Sequence, residues 1–376
     1  MKLAFCIFKY YAHGGMGRNF MRIIQACLAH GHSIDVYAME CNCASLNNLS
    51  ITIIPSHGFT NHARAQSYVN QVRALLKQKD YDAIVGFNRM PGLDVFYAAD
   101  VCYKEDVLKR HGWLYRLTNR YRTYARLEES VFNKHAKTHI LLISENEKQH
   151  FVKHYQTQNE RFHLLPPGIN KDRIAPINAT DIRHKVRQQH HLSNDQSLIL
   201  LIGTNFHLKG VDRALRAIAA LPQAVQQKTA FWVIGKGKQK PFINLAKKLH
   251  LESQIVFLGI NENITQYLLA ADLLIHPARR EAAGMVILEA MVAGLPVLTT
   301  DVCGFAFHVK QAKAGLVVPS PFQQEQLNQM LYQMLTSNQR KAWKENGLKY
   351  AYTEDLYSRA ETACKIIENI ATTTVS

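Results

Sequence analysis

Long hydrophobic runs are missing from this chain of 376 residues. No stretch approaches the roughly 18 apolar residues that a membrane-spanning helix requires, which excludes a transmembrane anchor from the reading. The opening MKLAFCIFKYY holds only six apolar residues between Lys2 and Lys9, too few for a signal-peptide core. It reads as a first strand, and the expected location is the cytoplasm. Acidic residues are scarce: 29 Asp and Glu stand against 45 Lys and Arg, a formal charge of +16. The excess is divided evenly, with 21 basic and 13 acidic residues up to Gly168 and 24 and 16 beyond it. A single basic tail is therefore excluded, and anionic partners are favoured beside plain solubility. Cysteine is sparse as well. The seven cysteines form no C-x-x-C pair, and Cys41 and Cys43 are merely two apart. They read as reduced thiols, mostly core filler, and no metal site is assigned.

What is present is the composition of a globular protein, 47% hydrophobic and long enough for two domains with their own cores. Short β-type runs alternate with amphipathic stretches, the pattern of parallel sheets with crossover helices. Strands are expected at 3–8, 33–39, 51–55, 81–87, 95–99 and 138–144, with helices at 18–30, 61–79, 113–135 and 145–155. Pro166-Pro167-Gly168 breaks the pattern, and 169–180 reads as a linker. Strands resume at 197–203, 229–235, 254–259, 272–277, 295–300 and 315–319. The expectation is an α/β protein of two doubly wound Rossmann-like domains facing across a cleft. They span 1–168 and 169–353, and a last helix within 354–376 is free to pack back on the first. Ligands of such sheets bind at the carboxyl ends of the strands.

The most informative segment is DLLIHPARREAAGMVILEAMVAGLPVLTTD, residues 272–301. It reads strand, loop, helix, strand. Ala282, Ala283 and Gly284 let a ligand approach the backbone, and the helix start at Met285 suits an anion. Glu281 and Glu289 would be roughly 10–12 Å apart at the helical rise per residue. That is too far for a glycosidase pair working together; it suits a ligand with hydroxyls at both ends and phosphates in the middle. The bland alternative makes Glu281 a loop charge and Glu289 a cap on a buried polar group.

In that context the segment resembles the donor-binding signature of the retaining glycosyltransferases of the GT-B fold, glycosyltransferase family 4. The likeness runs nearly end to end, through FCIFKYYAHGGMGRNFMRI, FNRMPGLDVFYAADVCY, LYRLTNRYRTYA, LPPGI, KGVDR and LPVLTTDVCG. Within the family it is similar to the lipopolysaccharide core glucosyltransferases, which move glucose from UDP-glucose to an inner-core heptose. The resemblance implies that Glu281 holds sugar hydroxyls and Glu289 the ribose. It also implies that 1–168 binds the acceptor and 169–353 the nucleotide-sugar, and that Asp100, after the strand VFYAA, is the catalytic residue for the acid/base work, the first-domain polar group near the transferred sugar; a helix-capping aspartate is the alternative. The phosphate of departing UDP would take the acceptor proton, with the protein positioning and stabilising charge. Family members need no divalent metal or other cofactor, and the chain is read as carrying no D-x-D motif.

Further donor contacts are expected from Gly14, Gly15 and Gly17, where the backbone can approach a phosphate or sugar. With Phe20 in the last position these do not make the dinucleotide fingerprint that Asp35 would otherwise support. Lys209, between strand and helix, suits a diphosphate leaving group, with a surface lysine as the alternative. Arg173 lies past the Pro-Pro-Gly hinge; its alternative is an interdomain surface ion pair. The chain departs from its relatives twice. Leu208 replaces an arginine, and Asn19 an aspartate; each lost charge-assisted contact costs ~1.5–3 kcal/mol. His207 or Lys236 is expected to compensate in part, and donor preference is open to change.

Between Val107 and Leu127 stand Lys109, Arg110, Arg116, Arg120, Arg122 and Arg126, with no acidic residue. On one helix Leu114, Leu117, Tyr121 and Tyr124 would share a face. Core packing explains that stripe, but a basic, tyrosine-rich surface also suits anionic lipid head groups. By resemblance, this region docks on the cytoplasmic face of the inner membrane. Nucleic acid is disfavoured, since no reader motif accompanies the charge. Two other classes remain: a UDP-N-acetylglucosamine 2-epimerase, which lacks this context of the glutamate pair, and a non-catalytic sugar-nucleotide or glycolipid binder.

Overall fold

The computed structural model describes residues 1–11, 15–42, 46–261 and 263–375. Contacts divide the chain into two compact units, Met1–Gly168 with Ser358–Ser376, and Ile169–Tyr357.

The first unit runs β1 (Lys2–Tyr10), α1 (Gly15–Ala29), β2 (Ser33–Cys41), β3 (Leu49–Ile53), α2 (Asn61–Leu76), β4 (Ala83–Gly86) and β5 (Val95–Ala98). It continues with α3 (Tyr103–Arg110), α4 (Asn119–Phe132), β6 (His139–Leu142), α5 (Glu145–Tyr155) and β7 (Phe162–Leu164). The second unit holds α6 (Ala179–Gln189), β8 (Ser197–Ile202), α7 (Val211–Ala219), α8 (Gln223–Gln226), β9 (Thr229–Ile234) and α9 (Lys240–Lys248). After these come β10 (Ile255–Gly259), α10 (Ile264–Ala270), β11 (Leu273–His276), α11 (Met285–Val292), β12 (Val297–Thr300) and α12 (Ala306–Ala312). The unit ends with β13 (Gly315–Val318), α13 (Gln324–Thr336) and α14 (Arg340–Thr353), and α15 (Arg359–Val375) returns to the first.

Central strands such as β8, β9 and β11 are buried almost throughout, which is why they read as continuous apolar runs. Each sheet is parallel, with the order β3-β2-β1-β4-β5-β6-β7 in the first unit and β10-β9-β8-β11-β12-β13 in the second. Strand order reverses between β1 and β4, and again between β8 and β11. Helices after such neighbours leave on opposite faces, opening a crevice at the carboxyl edge. In the second unit, Leu273 and Leu274 of β11 pair with Ile199 and Leu200 of β8, so the loops following these strands meet. The helix α15 packs on α1 and β4. Its buried Arg359 donates from Nε to the Pro166 carbonyl at 3.0 Å and from Nη1 to the Tyr97 hydroxyl at 3.3 Å.

Several expectations are corrected. The helix expected over 113–135 is broken: Trp113–Leu117 is a 3-10 turn, and α4 begins only at Asn119. The cause is Thr118, whose extended backbone stops the first segment while its Oγ1 accepts from the Tyr121 amide at 3.2 Å. Core packing fails for half of the apolar stripe, because Leu114 and Leu117 are 61% and 57% exposed. Tyr121 and Tyr124 instead turn onto the ring of Tyr103. The segment 169–180 is not a plain linker, since it carries a 3-10 turn at Lys171–Arg173 and the start of α6. Cys6, Cys27, Cys102, Cys303 and Cys364 are buried free thiols, but Cys41 is disulfide-bonded. Composition speaks to the redox compartment, not to which sulfurs the chain brings together. Gly14 and Cys43 lie outside the described residues.

Candidate functional site

The second unit assembles its charged groups at the β8/β11 switch point. Lys209 follows β8, and Glu281 lies in the loop between β11 and α11. Their side chains form an ion pair, each largely shielded from solvent. Burial pushes the Lys209 ammonium below its ordinary pKa. Lys209 is therefore not the free surface lysine that its sequence setting also allowed. The loop that carries Glu281 is pinned from the next crossover: Gly304 N donates to Glu281 O at 3.2 Å and Phe305 N to Ala283 O at 2.8 Å. Gly284 precedes α11 with φ at +90°, a left-handed conformation that glycine takes without the steric cost a Cβ imposes. The positive end of α11 thus opens at the crevice.

The residue that sequence reasoning missed here is His276, the last of β11. It is fully buried, and neither ring nitrogen has a hydrogen-bond partner among the described residues. Its Nε2 lies 3.4 Å from a Glu281 oxygen, without the geometry of a hydrogen bond. Burial, reinforced by the Lys209 charge, depresses its pKa to about 3. The ring is neutral at working pH, so that contact is no salt bridge. A usable signal was its place at the carboxyl end of a central parallel strand. His308, in α12, is held neutral likewise, with burial lowering its pKa to about 4.

These two histidines make stability pH-dependent. Below the unfolded pKa of about 6.5 the unfolded chain takes up protons that the folded chain refuses until about 3 to 4. Stability therefore falls as the pH drops through that window. Each histidine is expected to contribute a loss of about 1–2 kcal/mol between pH 7 and pH 5. Urea titrations at the two pH values check this: His308→Gln should lose that much less than the wild type.

A second group gathers at the far part of α11. Glu289 is buried on that helix, and its Oε1 lies 3.9 Å from Arg173 Nε. Arg173 Nη1 donates to Thr265 Oγ1 at 2.6 Å. Arg173 is itself buried and lies within the second unit, so it is not a surface ion pair. Thr265, at the start of α10, has no motif around it that could have flagged it. Beside Leu208 the structure brings up a cation the sequence did not nominate. The Arg279 amide donates to Leu208 O at 2.8 Å, and its guanidinium grips both Asp212 oxygens at 2.8 and 2.7 Å. His207 lines a cavity of about 650 Å³ with Phe206, Asp212, Lys238 and Phe242. Lys236 contributes its carbonyl to the Asn205 amide at 3.0 Å.

In the first unit, Asp100 is exposed just past β5, at the carboxyl edge of the sheet. It does not cap the following helix. That role belongs to Glu128 of α4, fully buried, which accepts from the Tyr103 and Lys104 amides at 2.8 and 3.1 Å. Gly15 has open space where a Cβ would stand, whereas a Cβ at Gly17 would run into the Tyr11 carbonyl. Gly17 is thus explained by backbone packing. Asn19 is buried on α1. Asp35 is committed to Lys79 and Tyr81, at 2.8 and 2.5 Å. The expected absence of a D-x-D motif is corrected: Asp80-Tyr81-Asp82 is one, but it lies at the opposite edge of the sheet, where Asp82 accepts from the Lys2 amide at 2.6 Å.

The basic segment is partly neutralised. Lys109 pairs with Glu105 at 3.3 Å and Arg110 with Asp106, both acids lying just outside the stretch counted from sequence. Arg126 donates to Gln66 at 2.6 Å, and Arg120 lies over the Tyr124 ring. Arg116 and Arg122 are exposed with no partner among the described residues. Trp113, 72% exposed, adds to Leu114 and Leu117 on this surface. No helix among the described residues is long and apolar enough to cross a membrane.

Comparison with known proteins converges on the same chemistry. Residues 13–173 match the family model Glycosyltransferase Family 4, and 182–350 match Glycosyl transferases group 1. The chain is 45% identical over 370 residues to the lipopolysaccharide glucosyltransferase WaaG of Escherichia coli K12, covering 98% of each chain. It superposes on the crystal structure of WaaG, a glycosyltransferase involved in lipopolysaccharide biosynthesis, with a TM-score of 0.91, covering 97% of this chain and 99% of that one. Anabaena Alr3699/HepE, solved with UDP and glucose, shares the fold at 18% identity and a TM-score of 0.75, covering 98% of this chain and 100% of that one. With two Rossmann-like units, a charged switch point and this degree of identity along nearly its whole length, the chain belongs to the GT-B glycosyltransferases of family 4.

Proposed function

We propose that this enzyme moves glucose, with retention, from UDP-glucose to an inner-core heptose of lipopolysaccharide, at the cytoplasmic face of the inner membrane. The observation that carries the reading is the Lys209–Glu281 pair beside neutral His276, at the mouth of α11, in a chain 45% identical to a lipopolysaccharide glucosyltransferase. Arrival of the diphosphate draws Lys209 off Glu281, which frees the carboxylate to accept from sugar hydroxyls. Glu289 and Arg173 hold the ribose end, with Ala283 and Gly284 giving the backbone room. As the glycosidic bond breaks, charge grows on the leaving phosphate, and Lys209 and the helix end stabilise it there. The UDP oxygen takes the acceptor proton. No protein nucleophile, metal or other cofactor is assigned. On the first unit, Asp100 orients the acceptor, while Gly15 and Asn19 line the approach of the donor. Arg279, beside Leu208, offsets the lost arginine in part, though Asp212 shares its charge.

Membrane docking falls to the exposed Trp113, Leu114 and Leu117 with Arg116, Arg120 and Arg122, an apolar ridge among cations. Lys109, Arg110 and Arg126 contribute less, since they are already engaged. One experiment tests both parts. A panel of UDP-sugars is incubated with truncated-core lipopolysaccharide in anionic or neutral vesicles, with products read by mass and bound protein by sedimentation. UDP-glucose should yield a single added hexose, with binding stronger on anionic vesicles. Acceptor-independent UDP binding with no product would make the chain a binding protein, and a different hexose would reassign the donor. Equal sedimentation with both vesicles would remove the docking assignment.

A further inference from the structure

The first unit gathers four metal-ligating side chains from opposite ends of the chain. His30 and His32 flank the turn between α1 and β2, and Cys364 and Glu368 sit one helical turn apart on α15. Each offers one ligand atom, and these atoms all lie within 4.8 Å of one another. Glu368 Oε1 stands 2.9 Å from His30 Nδ1 and 2.6 Å from His32 Nε2, and the Cys364 sulfur 3.7 Å from His30 Nδ1. Among the described residues this is the one such group.

We propose that His30, His32, Cys364 and Glu368 bind a zinc ion that clips α15 to the turn between α1 and β2. Zinc bonds of about 2.0–2.3 Å in a tetrahedron set the ligand atoms about 3.3–3.8 Å apart. The observed separations bracket that range, so closing the site takes side-chain shifts of about 1 Å or less. The donor set selects the metal. Two imidazoles, a thiolate and a carboxylate suit zinc, whereas magnesium and calcium prefer oxygen alone. The two anionic ligands balance the charge of the ion, and the thiol proton leaves to solvent as the sulfur binds.

The surroundings fit. Glu361 lies 3.0 Å from His30 Nε2, the carboxylate-to-imidazole support common behind metal-bound histidines. Cys27 is buried beside Cys364 and shares a side-chain contact with its sulfur. The Met1 amine, 3.4 Å from His32 Nδ1, is the neighbour that must turn aside, because metal on Nε2 leaves the ring proton on Nδ1. With four protein ligands the site is closed, so the ion braces the fold rather than meeting substrate. Without metal the same groups form a hydrogen-bonded network, and this is the reading to be excluded.

The full-length protein is loaded with zinc, desalted and analysed for metal, in parallel with His30→Ala and Cys364→Ser. His30 is partly exposed, which makes its truncation the milder test of folding. One equivalent of zinc is expected in the wild type, with affinity lowered roughly 10–100-fold in each variant. Cobalt in place of zinc should give the absorption of a tetrahedral thiolate complex, and Cys364→Ser should lose its charge-transfer band. Chelation should lower the melting temperature of the wild type and leave that of Cys364→Ser unmoved. Substoichiometric zinc in the wild type, or equal retention in wild type and both variants, overturns the site.

Discussion

Replacing Lys209 by methionine is expected to lower the rate of sugar transfer by about 10²–10³-fold, the effect of removing one preorganised donor from a developing anion. The side chain is the cation that the second unit holds at its switch point, poised on Glu281 and partly desolvated. Desolvation matters here, since a charge shielded from water acts more strongly on a leaving phosphate. Most of the loss should fall on kcat, because the interaction strengthens as the glycosidic bond breaks. Lys209→Arg keeps the charge but not the point geometry and should recover only part of the rate. A double-mutant cycle with Glu281→Gln checks the coupling: the two losses should combine to less than their sum. Acceptor-dependent UDP release is the measurement. A Lys209→Met enzyme within about twofold of wild type would remove the diphosphate role, since a lost charge-assisted contact costs more than that.

The second large effect concerns stability. Glu128 is completely buried, accepts from the Tyr103 and Lys104 amides and from the Tyr155 hydroxyl at 2.5 Å, and forms an ion pair with Arg89 at 3.2 Å. It thus caps α3 from α4 and neutralises a largely buried guanidinium. Glu128→Gln leaves Arg89 without its countercharge, and the expected cost is about 3–5 kcal/mol in the first unit. Arg89→Met combined with Glu128→Met should return part of that loss, because apolar replacement removes both desolvation penalties. Urea unfolding followed by a first-unit probe measures it, and with the nucleotide assigned mainly to second-unit residues under the proposed function, UDP affinity should stay within a few tenths of a kcal/mol. The same change loosens the turn that begins at Asp100, so transfer should fall while UDP binding does not.

The local structure around Glu281 and Glu289 was legible in the sequence. The strand DLLIH, the small residues 282–284 and the helix from Met285 follow each other within local reach, and periodicity and glycine placement report on local geometry. Contacts across long separations were not legible. Nothing in the sequence joins Arg173 to Thr265 and Glu289, or Arg279 to Asp212. The basic stretch misled in two ways. Thr118 was a strong helix-capping residue inside what looked like one helix, and Glu105 and Asp106 stood just outside the counted window. Both are cases where a side chain's partner, rather than its own type, decides its role.

Sequence alone indicated the architecture, because fully buried parallel strands demand apolar runs and crossovers demand amphipathic helices at fixed intervals, while the family came from the resemblance of its motif strings. It also put Lys209, Glu281 and Glu289 at strand and helix ends, where ligand chemistry occurs. Tertiary structure alone paired Lys209 with Glu281, buried His276 beside them, and set Glu128 rather than Asp100 as the cap of α3. It alone returned α15 to the first unit, bringing Cys364 and Glu368 up to His30 and His32. The reason is physical: local pattern fixes which face of an element is apolar, but strand order and helix return decide which distant charges share a desolvated space.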